Sequence, residues 1–337
     1  MIGGPLTLAH CRSLSCAAPF DLALRTISAH NKSVNTCGPN ALLRPYATPS
    51  LRGRLRPTSL RARFEDEGGP CSKTRLRDFP LSPTLSLMTK PKGDAHIEKI
   101  LKEAVAEVRA FCQANADPAV VKKYAKYFKE GYDGYGISKE VWEANRTRFY
   151  DKYRSELDLA GFLALGNRLF ESGKFEEGSA AIVSIRPFLD TFTPEAFQGV
   201  GQWLESGVRN WAHTDVICGE LLSPCLKSGG ITMAELDRWR QSDSKWKRRA
   251  VPVALLGLIT RVETAKLLDF IRPLMMDTER VVHQGLGWFL REAWKKDPAP
   301  VEAFLLDWKD TAARLIFQYA TEKMTPDQKN RFRKAKP

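Results

Sequence analysis

The first 87 residues contain no tryptophan, while all 8 Trp of the 337-residue chain fall later. Asp21 is the single acid before Glu65. A stretch such as "RPYATPSLRGRLRPTSLRARF" is rich in Pro, Ser, Gly and Arg and has little to bury, so it is expected to be disordered. The scarcity of acids is also the bias of an organelle transit peptide. A second reading is a coding sequence begun too far upstream, since "MTKPKGDAHIEKILKEAV" from Met88 reads as a natural start. The expected division is a leader over 1–92 and a folded domain over 93–337. No run of about 18 apolar residues occurs, which gives no sign of a membrane-spanning helix. Of 7 Cys none has CxxC spacing, so no zinc site is expected, and Cys112, Cys218 and Cys225 read as small core residues. No alternating β-branched segment of five residues survives inspection, which leaves little material for a sheet.

From about residue 93 the chain reads as helix after helix. Thr193 precedes Pro194 and Thr325 precedes Pro326, and "DPAPVEAF" with Pro300 gives a similar start. Proline is tolerated at the first helical position because its missing N–H would be unpartnered there anyway. Stops are expected at Gly131, Gly173, "SGG" over 228–230 and Pro273. Between them apolar residues fall at helical spacing, as in Leu101, Val105, Val108 and Cys112, with Phe111 widening the stripe. The rhythm predicts roughly a dozen helices of 10–20 residues joined by short turns, the texture of paired-helix repeats. A compact bundle is the competing architecture.

The net charge is +13, which points toward a polyanionic partner. One segment concentrates the problem. "SDSKWKRRAVPVALLGLIT", residues 242–260, sets Lys245, Lys247, Arg248 and Arg249 at a helix start. The helix dipole favours anions there, not cations. In a solenoid whose helix starts line the concave face, such cations and free backbone N–H groups would seat phosphates. The bland alternative is a solvated face, which suits Lys245 best. Arg249 lies three residues after Trp246, on the same face and against the apolar side. Pro252 suggests that the helix begins later or bends.

Three short segments share an order and a separation. "RNWAHTD" sets Trp211 and Asp215 four apart on one helical face, "SDSKWKRRA" follows, and "LGWFLRE" carries Trp288. Together they resemble the AlkD-like DNA alkylation repair family of helical-repeat glycosylases. The stretch "ADPAVVKKYAKYFKEGYDGYGIS" resembles that family's N-terminal repeat. The resemblance covers about 93–337 and implies an all-α, HEAT-like or ARM-like solenoid with a concave basic cleft for duplex DNA.

It also implies hydrolysis of the N-glycosidic bond of purines alkylated at N7 or N3, the opening step of base excision repair. No metal or cofactor takes part. Asp215, Trp211 and Trp288 would stand at the reacting sugar, and Arg249 would hold DNA in the cleft, with Arg248, Lys247 and Trp246 beside it. The protein would act as a monomer in the cytoplasm at the nucleoid, or in an organelle if the leader is a transit peptide.

A departure from the family is Gln284, where a Lys is common; Arg280 and Val281 replace frequent aromatics. His213, two residues from Asp215, turns to another face and receives no role. Gly285 and Gly287 would let a backbone approach, either DNA or a neighbouring helix. Arg291 and Glu292 read as an exposed ion pair of little worth. The alternative function is a non-catalytic repeat protein that binds DNA or a protein.

Overall fold

A computed structural model describes residues 92–334, with side chains from residue 95. The leader 1–91 lies outside the described residues, and with it the expectation of a leader over 1–92. The described chain is helical, with no strand among its residues. In order the α-helices are α1 (Lys92–Ala114), α2 (Pro118–Ala125), α3 (Lys139–Asn145), α4 (Arg148–Tyr153), α5 (Leu159–Glu171) and α6 (Phe175–Ile185). Then come α7 (Pro194–Gln202), α8 (Trp211–Ile217), α9 (Ser223–Ser228), α10 (Met233–Asp237) and α11 (Lys245–Leu255). The chain continues with α12 (Thr264–Ile271), α13 (Arg280–Lys296), α14 (Pro298–Trp308), α15 (Arg314–Ala320) and α16 (Pro326–Asn330). Among the described residues no helix is long and apolar enough to cross a membrane.

The starts follow the local chemistry. Thr193 and Thr325 cap α7 and α16, each followed by its proline. Thr325 also forms a reciprocal pair with Gln328, so two otherwise unpaired N–H groups are satisfied. α14 begins at Pro298 rather than at Pro300. α9 ends at Gly229, whose φ of 84° is left-handed and costs glycine nothing.

The helices are shorter and more numerous than the apolar rhythm predicts, because 3₁₀ and π turns split longer rods. Residues 211–228 form one such rod, in which Cys218–Leu222 is a π turn between α8 and α9. Pro224 has no N–H to give and its ring would press on the carbonyl four residues back. A widened turn before it relieves that clash. Proline does not stop α11, which runs from Lys245 through Pro252 to Leu255. Its start is where the sequence puts it, because the Ser244 hydroxyl oxygen accepts from the Lys247 amide and its own O–H donates to the Leu204 carbonyl at 2.6 Å.

Packing joins these pieces in two rows, the texture of a helical repeat. α6, α8, α11, α13 and α15 each pack on the next. α5 lies against α6 and α7, and α12 against α14, on the other side. The apolar stripes of both rows meet in one continuous core. Leu101, Val108 and Cys112 of α1 are buried in it, with Val105 and Phe111 partly so. Cys112, Cys218 and Cys225 are buried, unpaired thiols. The row from α6 to α15 carries every residue that the sequence marks as chemical.

Candidate functional site

α8 begins after Asn210, whose side-chain oxygen accepts from the His213 amide at 2.9 Å. That cap fixes the phase of the helix, and with it the directions of three side chains. Trp211 stays half-buried, while His213 and Asp215 are buried.

Asp215 points to α11. Its two carboxylate oxygens accept from Arg249 Nε at 2.9 Å and Nη2 at 2.8 Å, a bidentate fork. Arg249 Nη1 donates to the Val281 carbonyl at 2.6 Å, in the first turn of α13. The pair is sealed: the side chains are 3% and 1% exposed. Burial pushes the Asp215 carboxyl above its ordinary 3.8, and the guanidinium pulls against that rise. Arg249 therefore ties three neighbouring helices of the row together. It was expected to hold DNA in a cleft, and its side chain is buried.

Its neighbours on α11 are also engaged. Arg248 donates to Asp277 Oδ2 at 2.6 Å and to the Ser242 carbonyl at 2.6 Å. Lys247 pairs with Glu205, and Lys245 lies 3.9 Å from Glu279 with its ammonium over the Trp246 ring. Trp246 is buried. The four cations at this helix start thus meet four carboxylates drawn from three other segments. The dipole's repulsion is offset by ion pairs within the chain. The side chains expected to bind DNA, Lys247, Arg248 and Arg249, thus already hold carboxylates of the chain.

Trp211 has a different setting. Its Nε1–H donates to the Tyr127 carbonyl at 3.3 Å, and Phe128 stacks on its ring at 5.4 Å with 19° between the planes. Phe128 stacks in turn on Tyr132 at 4.9 Å. An aromatic wall from the loop after α2 therefore backs the indole. Sequence reasoning missed this wall, although the "KYFKEGYDGYG" stretch that holds it was singled out for another reason.

The loop is fastened by two buried acids that sequence reasoning also missed. Glu176 accepts from the backbone N–H of Tyr135, Gly136 and Ile137 at 2.8, 2.8 and 3.2 Å. Glu177 accepts from Arg109 Nε at 3.1 Å and from the Tyr135 hydroxyl at 2.8 Å. The signal was a pair of acids in the otherwise apolar "FEEGSAAIVSI". Gly136 has φ of 83°, and a Cβ there would lie 2.2 Å from the Asp117 carbonyl, so the loop can close only with glycine.

His213 faces α6, away from Asp215. Its Nε2 donates to the Phe175 carbonyl at 2.8 Å, its Nδ1 accepts from the Asn210 amide at 3.1 Å, and its ring stacks on Phe175. Burial pushes its pKa down to about 4, so the ring is neutral at physiological pH.

Trp288 is buried on α13, one turn beyond Gly285. A Cβ on Gly285 would sit 3.3 Å from Arg249 Cγ, and one on Gly287 would sit 2.4 Å from Tyr319 Cβ. Both glycines thus admit neighbouring helices, α11 and α15. Gln284 donates to the Tyr319 hydroxyl at 2.8 Å. Val281 is buried, whereas Arg280 is exposed at the first position of α13. Arg291 is not a surface residue: it is buried and donates to Glu292 at 2.9 Å and to Glu322 at 2.5 Å. Among the described residues no cluster of His, Cys, Asp and Glu could hold a metal ion.

The arrangement is an all-α repeat in which the row from α6 to α15 buries a carboxylate–guanidinium pair, its carboxylate on the same helix as a half-exposed indole. The chain belongs to the DNA alkylation repair enzyme family, whose model matches residues 108–324. Among solved structures it is similar to a predicted DNA alkylation repair enzyme from Enterococcus faecalis. That likeness has a TM-score of 0.53 at 16% identity, over 63% of this chain and 98% of the other. No curated protein matches the chain.

Proposed function

We propose that this chain is a DNA glycosylase that hydrolyses the N-glycosidic bond of purines alkylated at N7 or N3 in duplex DNA. It works as a monomer and begins base excision repair. The observation that carries the reading is the buried Asp215 carboxylate, forked by Arg249 and four residues from the half-exposed Trp211.

An alkylated purine already bears positive charge and leaves without a strong acid to protonate it. As the bond breaks, positive charge grows on the deoxyribose, as in glycoside hydrolysis generally. A fixed carboxylate in a dry setting opposes that charge. The half-exposed Trp211 offers an electron-rich face to the cation, worth about 0.5–2 kcal/mol, and the buried Trp288 supports the site from α13.

Arg249 is then a positioning residue. Three of its five N–H donors go to Asp215 and Val281, and its side chain is 3% exposed. The guanidinium thus aims the carboxylate from a buried position and acts on the reaction through Asp215. We assign Lys247, Arg248 and Trp246 to holding the start of α11, since phosphate contact would displace the carboxylates that Lys247 and Arg248 already hold.

The test is release of 7-methylguanine from a methylated duplex, with folding verified by thermal melting. Asp215→Asn should slow release by about 10²–10³ while DNA binding persists. Release at the wild-type rate in the folded variant refutes the assignment. A second reading has its own support. A carboxylate with both oxygens held by one arginine is also what a purely architectural ion pair looks like, and it suits a repeat protein that binds DNA without excision. Wild-type protein that binds the methylated duplex and releases no base decides for that reading.

A further inference from the structure

Residues 118–129, "PAVVKKYAKYFK", hold four lysines and no acid. α2 opens this stretch and buries none of its residues. Lys122, Lys123, Lys126 and Lys129 are all exposed, and none has a carboxylate within ion-pair distance among the described residues. Lys123 sits over the Tyr124 ring at 5.7 Å and Lys126 over the Tyr127 ring at 5.0 Å. The acids nearby are Asp117, Glu130 and Asp133. Asp117 caps α2 through the Ala119 amide, and Asp133 pairs with Lys174. A helix that buries nothing gains little from packing, so its composition reflects something other than the core.

The stretch is nevertheless held in place. The Asp117 amide donates to the Tyr135 carbonyl at 3.0 Å, and Glu176 clamps the loop that follows. At its far end the Tyr127 carbonyl accepts from Trp211, and Phe128 stacks on that indole. The lysines therefore stand at a fixed place beside Trp211.

We infer that Lys122, Lys123, Lys126 and Lys129 form the strip on which the phosphate backbone of duplex DNA docks, next to Trp211. This deepens the proposed function and rests on DNA as the partner. Lys122 and Lys126 are one turn apart, about 6 Å along the helix. Measured along the duplex axis, that is roughly two of the 3.4 Å intervals at which one strand carries its charges. Fixed cations that face no carboxylate release the counterions of DNA when they meet its phosphates, which makes binding salt-dependent. A membrane surface fits less well, because an interfacial helix needs a large apolar face. The exposed large hydrophobics among the described residues are Met276 and Leu306, both far along the chain from α2.

The experiment measures fluorescence anisotropy of a labelled, unmodified duplex over a salt series, with the full-length protein. In the variant Lys122, Lys123, Lys126 and Lys129 are all changed to Gln. Binding at 0.15 M salt should weaken by about a hundredfold, and the slope of log K against log salt should fall by about 3. The melting temperature should stay within a degree or so, since α2 buries nothing. A control with Lys266→Gln and Lys295→Gln should bind as wild type.

Wild-type affinity and slope in the quadruple variant overturn the inference. So does wild-type protein that binds vesicles of anionic phospholipid through these lysines and leaves duplex DNA unbound. Base release at saturating methylated DNA separates this inference from the glycosylase reading. Lysine-dependent binding without release sinks the glycosylase alone, and release with lysine-independent binding sinks the strip alone.

Discussion

Two segments of this chain each carry four cations within a short span. At the start of α11 every one faces a carboxylate from another part of the chain: Glu279, Glu205, Asp277 and Asp215. Over 118–129 none does among the described residues. The first group is half or wholly buried and its field is cancelled within the molecule. The second is exposed and its field reaches solvent. A count of lysines and arginines treats the two alike. What separates them is where acids distant in sequence arrive, so the segment with the more conspicuous motif is the less suited to hold an external anion.

The comparison breaks most readily at Arg249. If the charges of α11 are internal, removing this one strands Asp215 in the core with no counter-charge. Arg249→Ala should cost about 3–5 kcal/mol in unfolding by chemical denaturation, with nearly all of it structural. Replacing both partners, as Asp215→Leu with Arg249→Met, should restore most of that stability, because an apolar pair of similar volume needs no compensation. The double variant should release no base. A loss below about 1 kcal/mol in Arg249→Ala would mean that Asp215 finds water or another donor, and the sealed pair would be a misreading.

Titration at pH extremes sharpens the picture on the other face of α8. His213 is neutral when folded because burial lowers its pKa to about 4. In the unfolded chain it takes a proton below about 6.5. Unfolding therefore takes up a proton between those values, and stability falls as the pH drops from about 6.5 toward 4. The slope reaches about 1.4 kcal/mol per pH unit, or about 3 kcal/mol across the window. His213→Gln should flatten that part of the curve of unfolding free energy against pH. An unchanged slope would show that the ring is not held neutral.

Much of the frame was legible in the sequence, because helix starts and stops are local chemistry. Thr193–Pro194, Thr325–Pro326 and Gly229 act where their types predict. The i, i+4 spacing of Trp211 and Asp215 placed them on one helix, and the offset of His213 turned it elsewhere. The partners were not legible. Nothing adjacent to Arg249 announces that Asp215, 34 residues earlier, will take its charge, and nothing near Arg291 announces Glu322. Gly285 and Gly287 announced a close approach, but only the fold says that α11 and α15 make it. The clamp by Glu176 went unread because a buried acid pair looks, in sequence, like the exposed first turn of a helix.

The smallest expected effect lies two residues from the largest. Lys247 pairs with Glu205, but the glutamate side chain is 53% exposed, against 1% for Asp215. Water screens the first pair and not the second. Lys247→Ala should therefore cost about 1 kcal/mol or less, and a double-mutant cycle with Glu205→Ala should give a coupling of about 0.2–1 kcal/mol. Added salt should shrink that coupling further, while Arg249–Asp215 should barely respond. Lys247→Ala should also change the salt slope of DNA binding far less than the strip of α2 does, since its charge is already matched. If it instead removes a full phosphate contact, the ion pair opens to DNA and the line between the two cation groups moves by one residue.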